Sequence, residues 1–355
     1  MVVENIYRKV LGGERITKDE AIALFKTNDI LTLGNVASSL TRRKTGSQTV
    51  TYIIDRNVNY TNICVTDCTF CAFYRKRGHP EAYVLTFEEL AQKIKETIQL
   101  GGRQILLQGG HNMELRLDYY EKMFRQIKER FDLQLHALSP AEIVHLSKIS
   151  HLRIEDVLRR LKNAGLDSIP GGGAEILVDR VRRIISPKKC TADEWLYVMD
   201  RAHHMGIPTT ATMMFGHIET IEERVEHLLR IREQQDNTSG FTAFIAWTHQ
   251  PGSNALGTNL NGEKVSGMEY LKTLAISRIV LDNFDNLQSS WVTQGPKIGQ
   301  MALYYGANDM GSVMIEENVV REAGASFHMD EDEIRRLIKD GGFIPQRRNM
   351  RYEFI

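Results

Sequence analysis

Cys64, Cys68 and Cys71 lie in the stretch NVNYTNICVTDCTFCAFYR, three of the chain's four cysteines at C-x3-C-x2-C spacing. Soft thiolates select iron–sulfur clusters, zinc or Cu(I) over hard cations. Three thiolates can each take one iron of a cubane cluster, which leaves the fourth iron to a non-protein ligand. A structural zinc site wants four protein ligands. His79 is close enough in sequence to be the fourth, whereas Cys190 is remote.

Other polar and glycine-rich groups recur where short apolar runs end. Gln108-Gly109-Gly110 precedes His111, and glycines there let backbone groups approach a ligand closely. Gly171-Gly172-Gly173-Ala174-Glu175 lacks both the Lys-Ser/Thr of a phosphate loop and the spacing of a dinucleotide loop. Glu175 is expected in the first turn of a helix from Ala174 to Ile185, where a carboxylate is stabilised by the helix N-terminus. Arg180, Arg182 and Arg183 follow it; one of them, assigned as Arg182, is expected to pair with a carboxylate of a ligand. His217, in MMFGHIE, is the candidate proton acceptor, and His136, Trp247, His249 and Gln250 also close strands. No serine–histidine–acid or HExxH arrangement competes with these.

The elements that must position them alternate. Thr17 with Glu20, Thr86 with Glu89, Thr191 with Glu194 and Thr220 with Glu223 are capping boxes that open helices. Between helices lie apolar runs at about 58–63, 103–107, 133–137, 168–169, 208–214, 241–247, 287–291 and 311–314, read as strands. Eight such units predict an α/β fold, a (βα)8 TIM-type barrel with helical N-terminal and C-terminal extensions. A doubly wound open sheet is the alternative. The expected divisions are 1–50 as a helical extension, 51–315 as the barrel and 316–355 as a C-terminal extension packed on it.

The chain has 355 residues, 42% of them hydrophobic, and a formal net charge of 0, so it can bury a full core and has no nucleic-acid footprint. Four cysteines, three of them clustered, make no disulfide framework. No apolar run reaches membrane-span length and the N-terminus lacks signal-peptide shape. A cytoplasmic protein in a reducing compartment, with no membrane or nucleic-acid partner, is the expectation.

The cysteine spacing resembles the radical S-adenosylmethionine superfamily. Longer segments, among them ILLQGGHN, LHALSPAEI, DSIPGGGAEILVDRVRRIISPKK, TTATMMFGHIETIEERVEHL and GFTAFIAWTHQPGSNAL, resemble the enzymes of the futalosine route to menaquinone, and among these the cyclising member. The resemblance implies a [4Fe-4S] cluster on Cys64, Cys68 and Cys71 whose open iron is chelated by S-adenosylmethionine. It places Phe70 near the adenine and Gln108, Gly109 and Gly110 at the amino group. It also implies that Glu175 and Arg182 hold the cofactor. A ribose-centred radical would close a ring in a nucleoside-derived substrate, with His217 assisting. The electron would come from an external one-electron donor such as flavodoxin or ferredoxin. Aminofutalosine synthase, half of a deazaflavin synthase pair, and an iron–sulfur electron carrier or sensor are the rival readings.

Overall fold

The computed structural model describes residues 2–355; Met1, the first residue of the expected N-terminal extension, lies outside them. All four capping boxes form, each threonine hydroxyl accepting the amide of the glutamate three residues on. Helices Val2–Leu11, Lys18–Phe25 and Ile30–Thr45 come first, and Gly46 in the left-handed region ends the third. This N-terminal region touches segments that lead into later strands: Arg15, between the first two helices, pairs with Asp236 and Asp282, and the Thr41 hydroxyl donates to the Gly306 carbonyl.

The core is a parallel arrangement of β1 (Thr49–Ile53), β2 (Asn57–Asn59), β3 (Gln104–Gln108), β4 (Gln134–Ala137), β5 (Thr209–Phe215), β6 (Phe241–Thr248), β7 (Asn286–Gln288), β8 (Asp309–Ser312) and β9 (Ile344–Arg347). One sheet runs β5-β6-β7-β8-β1-β9 and the other β2-β3-β4. Parallel bridges His136–Ser168 and Ile169–Thr209 connect β4 to β5 through the short Ser168–Ile169 segment. Helices such as Phe87–Gln99, Leu117–Arg130, Ile154–Ala164, Ile221–Thr238 and Gly267–Val280 connect the strands and flank them. Each turns an apolar stripe inward, with Leu158, Leu161, Val225 and Leu274 fully buried. Burial of such a side chain contributes about 1.5–3 kcal/mol. The result is a mixed α/β fold with a parallel core sheet and flanking helices.

Five expectations change. The strand expected over 58–63 is Asn57–Asn59, and another strand, Thr49–Ile53, precedes it. The helix expected from Ala174 begins only at Asp179. The backbone before it bonds outward instead: the Glu175 carbonyl accepts the Met214 amide at 3.0 Å, and the Leu177 amide donates to His227 Nδ1 at 3.0 Å. Glu175 takes φ +42°, so it is a loop residue with no helix N-terminus behind it. The strand expected over 287–291 stops at Gln288, and Trp291 starts a short helix. The strand expected over 311–314 is Asp309–Ser312. Finally, the tail contributes β9, paired in parallel with β1 from Thr49–Ile344 to Tyr52–Arg347. Its Pro345 is tolerated because β9 is an edge strand.

Candidate active site

Beyond β2 the chain enters the cysteine loop. The Asn62 side chain fastens it, donating to the Glu81 carbonyl and accepting the Tyr83 amide, both at 2.9 Å. The Cys64 amide donates to the Arg75 carbonyl and the Cys71 amide to the Cys68 carbonyl, both at 3.1 Å. The Thr66 hydroxyl lies 2.9 Å from Cys64 Sγ and 3.5 Å from Cys68 Sγ, and the His111 amide donates to Cys64 Sγ at 3.3 Å. All four cysteines are free thiols. Burial pushes the Cys68 thiol up to about 11 and raises Cys71 as well.

Among the described residues no three Cys, His, Asp or Glu side chains converge on one point as a single metal ion would require. A cubane makes a different demand, since each thiolate binds its own iron. Three thiols spread around one cavity end suit that geometry. His79 does not complete a zinc set: it is exposed, and its Nδ1 accepts the Glu81 amide at 3.1 Å. Cys190 is buried against Arg182, away from the cavity.

That cavity has a volume of about 390 Å³, within the ordinary range for small-molecule sites. Cys64, Cys68 and Cys71 line it, as do Phe70, Gln108, Gly109, Gly110 and Glu175. The two glycines are forced by contact. A Cβ on Gly110 would stand 2.2 Å from the Ile63 carbonyl oxygen, and one on Gly109 would stand 2.5 Å from the Tyr60 ring. The Gly109 amide donates to Glu142 Oε1 at 3.1 Å. The same oxygen accepts the Tyr60 hydroxyl at 2.7 Å, and Ser139 donates to Oε2 at 2.7 Å. Burial pushes Glu142 up to about 7 against these bonds.

Beside the cysteine loop, the Lys189 ammonium sits 2.8 Å from Glu175 Oε1 and 5.2 Å from the centre of the Phe70 ring. The Glu175 side chain is 4% exposed and that of Lys189 14%. Burial alone would raise Glu175; the Lys189 charge overrides it and holds the carboxyl below its usual range. Burial likewise opposes the Lys189 charge, and the pull of Cys68 and Glu175 raises that pKa nonetheless.

Arg182 and His217 are not brought to the cavity. Arg182 spends its guanidinium on backbone carbonyls, Nη1 on Gly173 and Ala174, Nε and Nη2 on Cys190. It clamps the Gly171–Glu175 loop to the segment after its helix and offers no free donor pair to a ligand carboxylate. His217 donates from Nε2 to the Met214 carbonyl at 3.1 Å and accepts the Ile218 amide on Nδ1 at 2.7 Å. Glu219 and Arg224 close around it, so it braces the turn after β5.

Further polar groups line the cavity. His136 and Trp247 line it, whereas His249 and Gln250 are buried outside it. Asp55 accepts from Ser312 and Gln104. Arg348 grips Asp309, its Nη2 2.9 Å from Oδ1, and lies over the Tyr352 ring. The sequence reading missed Lys189, Glu142, Asp55 and Arg348. The Asn-Val-Asn alternation of β2, which turns Asn57 and Asn59 to the cavity, was a readable sign of a polar interior. Nothing local marked Arg348, whose partner lies 39 residues away.

The Radical SAM superfamily model matches residues 58–231, and the CofH/MqnC C-terminal region matches residues 238–355. A cyclic dehypoxanthine futalosine synthase of Halalkalibacterium halodurans is 45% identical over 356 residues, 100% of this chain and 95% of that protein. An aminodeoxyfutalosine synthase of Thermus thermophilus is 40% identical over 99% of this chain and 95% of its own length. A 5-amino-6-(D-ribitylamino)uracil–L-tyrosine 4-hydroxyphenyl transferase of Methanosarcina barkeri is 40% identical over 100% and 94%. In fold, the chain matches the FeFe-hydrogenase maturase HydG of Carboxydothermus hydrogenoformans with TM-score 0.77 and 19% identity, covering 99% of this chain and 80% of that one. Full-length identity at this level, with three cysteines and two close-packed glycines around one cavity, means that the chain belongs to the radical SAM superfamily, among the enzymes with the CofH/MqnC C-terminal region.

Proposed function

We propose that this enzyme converts dehypoxanthinyl futalosine to its cyclic form in menaquinone biosynthesis. The observation that carries the reading is the full-length likeness to the cyclic dehypoxanthine futalosine synthase at 45%, against 40% for the two relatives of other activity. A [4Fe-4S] cluster would be held by Cys64, Cys68 and Cys71, with S-adenosylmethionine on the open iron. When bound, the pair supplies a 5'-deoxyadenosyl radical that takes hydrogen from the substrate's ribose. The chain's own part is positioning and exclusion of water. Gly109 and Gly110 let the loop lie close to the cysteines, and Glu142 fixes the Gly109 amide. Lys189 has donors beyond the one on Glu175, so it can hold a ligand carboxylate, while Glu175 suits hydroxyl or ammonium groups. Phe70 offers a flat apolar face.

The reading extends to shape. The Val313 and Ile315 amides donate to the Ile53 and Asp55 carbonyls, and the Leu106 amide donates to the Arg56 carbonyl. The run from β1 to β2 thus bonds the β8 side and then β3, which supports a closed (βα)8 barrel, residues 51–315, with extensions 1–50 and 316–355. Val65, 41% exposed beside Cys64, gives the cysteine loop a solvent edge where an external one-electron donor such as flavodoxin or ferredoxin would reach. Among the described residues no helix is long and apolar enough to cross a membrane.

The test is anaerobic reconstitution followed by S-adenosylmethionine, reductant and dehypoxanthinyl futalosine. Deoxyadenosine and a product lighter than the substrate by two hydrogens are expected. A product that retains the adenosyl group, or none from an enzyme with a full cluster, overturns the reading. Alanine at Cys64, Cys68 or Cys71 should each abolish the broad iron–sulfur absorbance; an intact cluster in any of them removes that ligand.

A further inference from the structure

We infer that Gln288, with Trp247 beside it, is the subsite for the hydroxyls of the substrate's sugar ring; the inference rests on the cyclisation proposed above. Gln288 ends β7 and lines the cavity. It stands in register with Ile245 of β6, and Trp247 is two residues farther along that strand, so the three side chains share the interior face. The amide is closely seated. A Cβ on Gly311 of β8, where φ is +73°, would stand 2.5 Å from Gln288 Nε2 and 2.8 Å from its Cδ. A side chain at that position would push the amide aside. Yet among the described residues neither the Gln288 amide nor Trp247 Nε1 bonds a protein group. Both residues are half-buried. A polar group drawn out of water costs free energy until something bonds it.

The cavity's other side-chain amides are engaged, with one exception. Asn57 donates to Glu317, Gln104 to Asp55, Asn62 to the Glu81 carbonyl and Asn59 to the Gln108 carbonyl. The exception is Gln108, whose Nε2 would meet a Cβ on Gly172 at 2.5 Å. Gln108 leads directly into the Gly109–His111 run that bonds Cys64, so it belongs with the cofactor. Gln288 does not. Among the described residues the backbone of the cysteine loop bonds Arg75, His111, Ile185 and Leu256, and nothing on β7 or β8.

The chemistry of the pair selects the ligand group. A primary amide presents an acceptor and a donor side by side, so one hydroxyl can donate to Oε1 while its neighbour accepts from Nε2. A neutral amide has no charge to hold a carboxylate, and the cavity places its cations elsewhere, on Lys189 and Arg348. The Trp247 indole adds a flat apolar face for the C–H side of a sugar ring and a further N–H at its edge. Gln288 and Trp247 would thus hold the sugar by its hydroxyls and leave its carbon-bound hydrogens free to react.

The experiment uses the full chain, reconstituted, with S-adenosylmethionine present and no reductant, so that binding is read without turnover. Calorimetry gives the Kd of dehypoxanthinyl futalosine and of analogues that each lack one sugar hydroxyl. In Gln288→Met, which keeps the volume and removes both hydrogen-bonding atoms, affinity for the full substrate should fall about tenfold. At least one deoxy analogue should lose a similar amount on the wild-type protein and at most about twofold more on Gln288→Met, the non-additivity of a direct contact. Affinity for S-adenosylmethionine should stay within about twofold of wild type. Trp247→Leu should weaken the substrate and its analogues alike, severalfold. Gln288→Asn, which withdraws the amide by one methylene, carries the same cycle if Gln288→Met does not fold. Unchanged substrate affinity in the Gln288 and Trp247 variants, or full additivity for every analogue, overturns the assignment. So does a loss confined to S-adenosylmethionine, whose own sugar would then be the ligand. A wild-type enzyme that binds no dehypoxanthinyl futalosine, or forms no cyclic product from it once reduced, overturns the function itself, a result seen before any variant is made.

Discussion

Lys189 has Glu175 on one side and the Phe70 ring on the other, and a charge this buried persists only with a partner. Glu175→Gln therefore should weaken S-adenosylmethionine binding about tenfold, close to 1.4 kcal/mol, in equilibrium binding; an unchanged Kd would remove Glu175 from the cofactor site. His217 now carries a different expectation. Its two ring nitrogens are spent on Met214 and Ile218, so His217→Ala should cost about 1–3 kcal/mol of stability, read by urea denaturation, and leave turnover per cluster near wild type. Selective loss of turnover at full stability would return it to the chemistry. Histidine type and strand-end position were legible in the sequence for His136 and His217 alike. Which ring faced the cavity was not, because that depends on how β5 turns after Phe215 and on Ser168 arriving beside β4.

At the scale of elements, the loop after β3 and the cysteine loop after β2 are packed as one body. Gly110 donates its amide to the Thr61 carbonyl at 3.0 Å, and its missing side chain leaves room for Ile63 and Cys64. Gly110→Ala would press a Cβ against backbone, which has no rotamer to yield. Iron bound per chain after reconstitution should fall severalfold while the far-UV helical signal persists; full iron loading would show that the two loops are not coupled. The capping boxes were readable because each is a contact between residues three apart. The segment from Ala174 to Val178 was misread as helix because its composition allows one, whereas Met214 and His227 claim its backbone groups.

For the molecule as a whole, the last residues complete the cavity. β9 lies along β1, and beyond it Arg348, which lines the cavity, reaches Asp309. Both side chains are nearly sealed from solvent, 4% and 0% exposed. Removing one partner of such a pair leaves an uncompensated buried charge. Arg348→Met should cost about 3–5 kcal/mol in denaturant unfolding, and adding Asp309→Asn should recover part of it; additive losses would mean that the two do not act as a pair. The tail is thus part of the fold and of the cavity wall.

The sequence by itself determined the cysteine triad, the glycines beside it, the capping boxes and the βα rhythm. Each is written in residues close together along the chain, where spacing fixes geometry. Only the tertiary structure decided that Lys189 faces Glu175, that Arg182 and His217 turn away from the cavity, and that Arg348 closes it. Those outcomes depend on which buried donor meets which acceptor across strands far apart in sequence. A buried polar group must find its partner, and the partner is chosen by packing rather than by spacing.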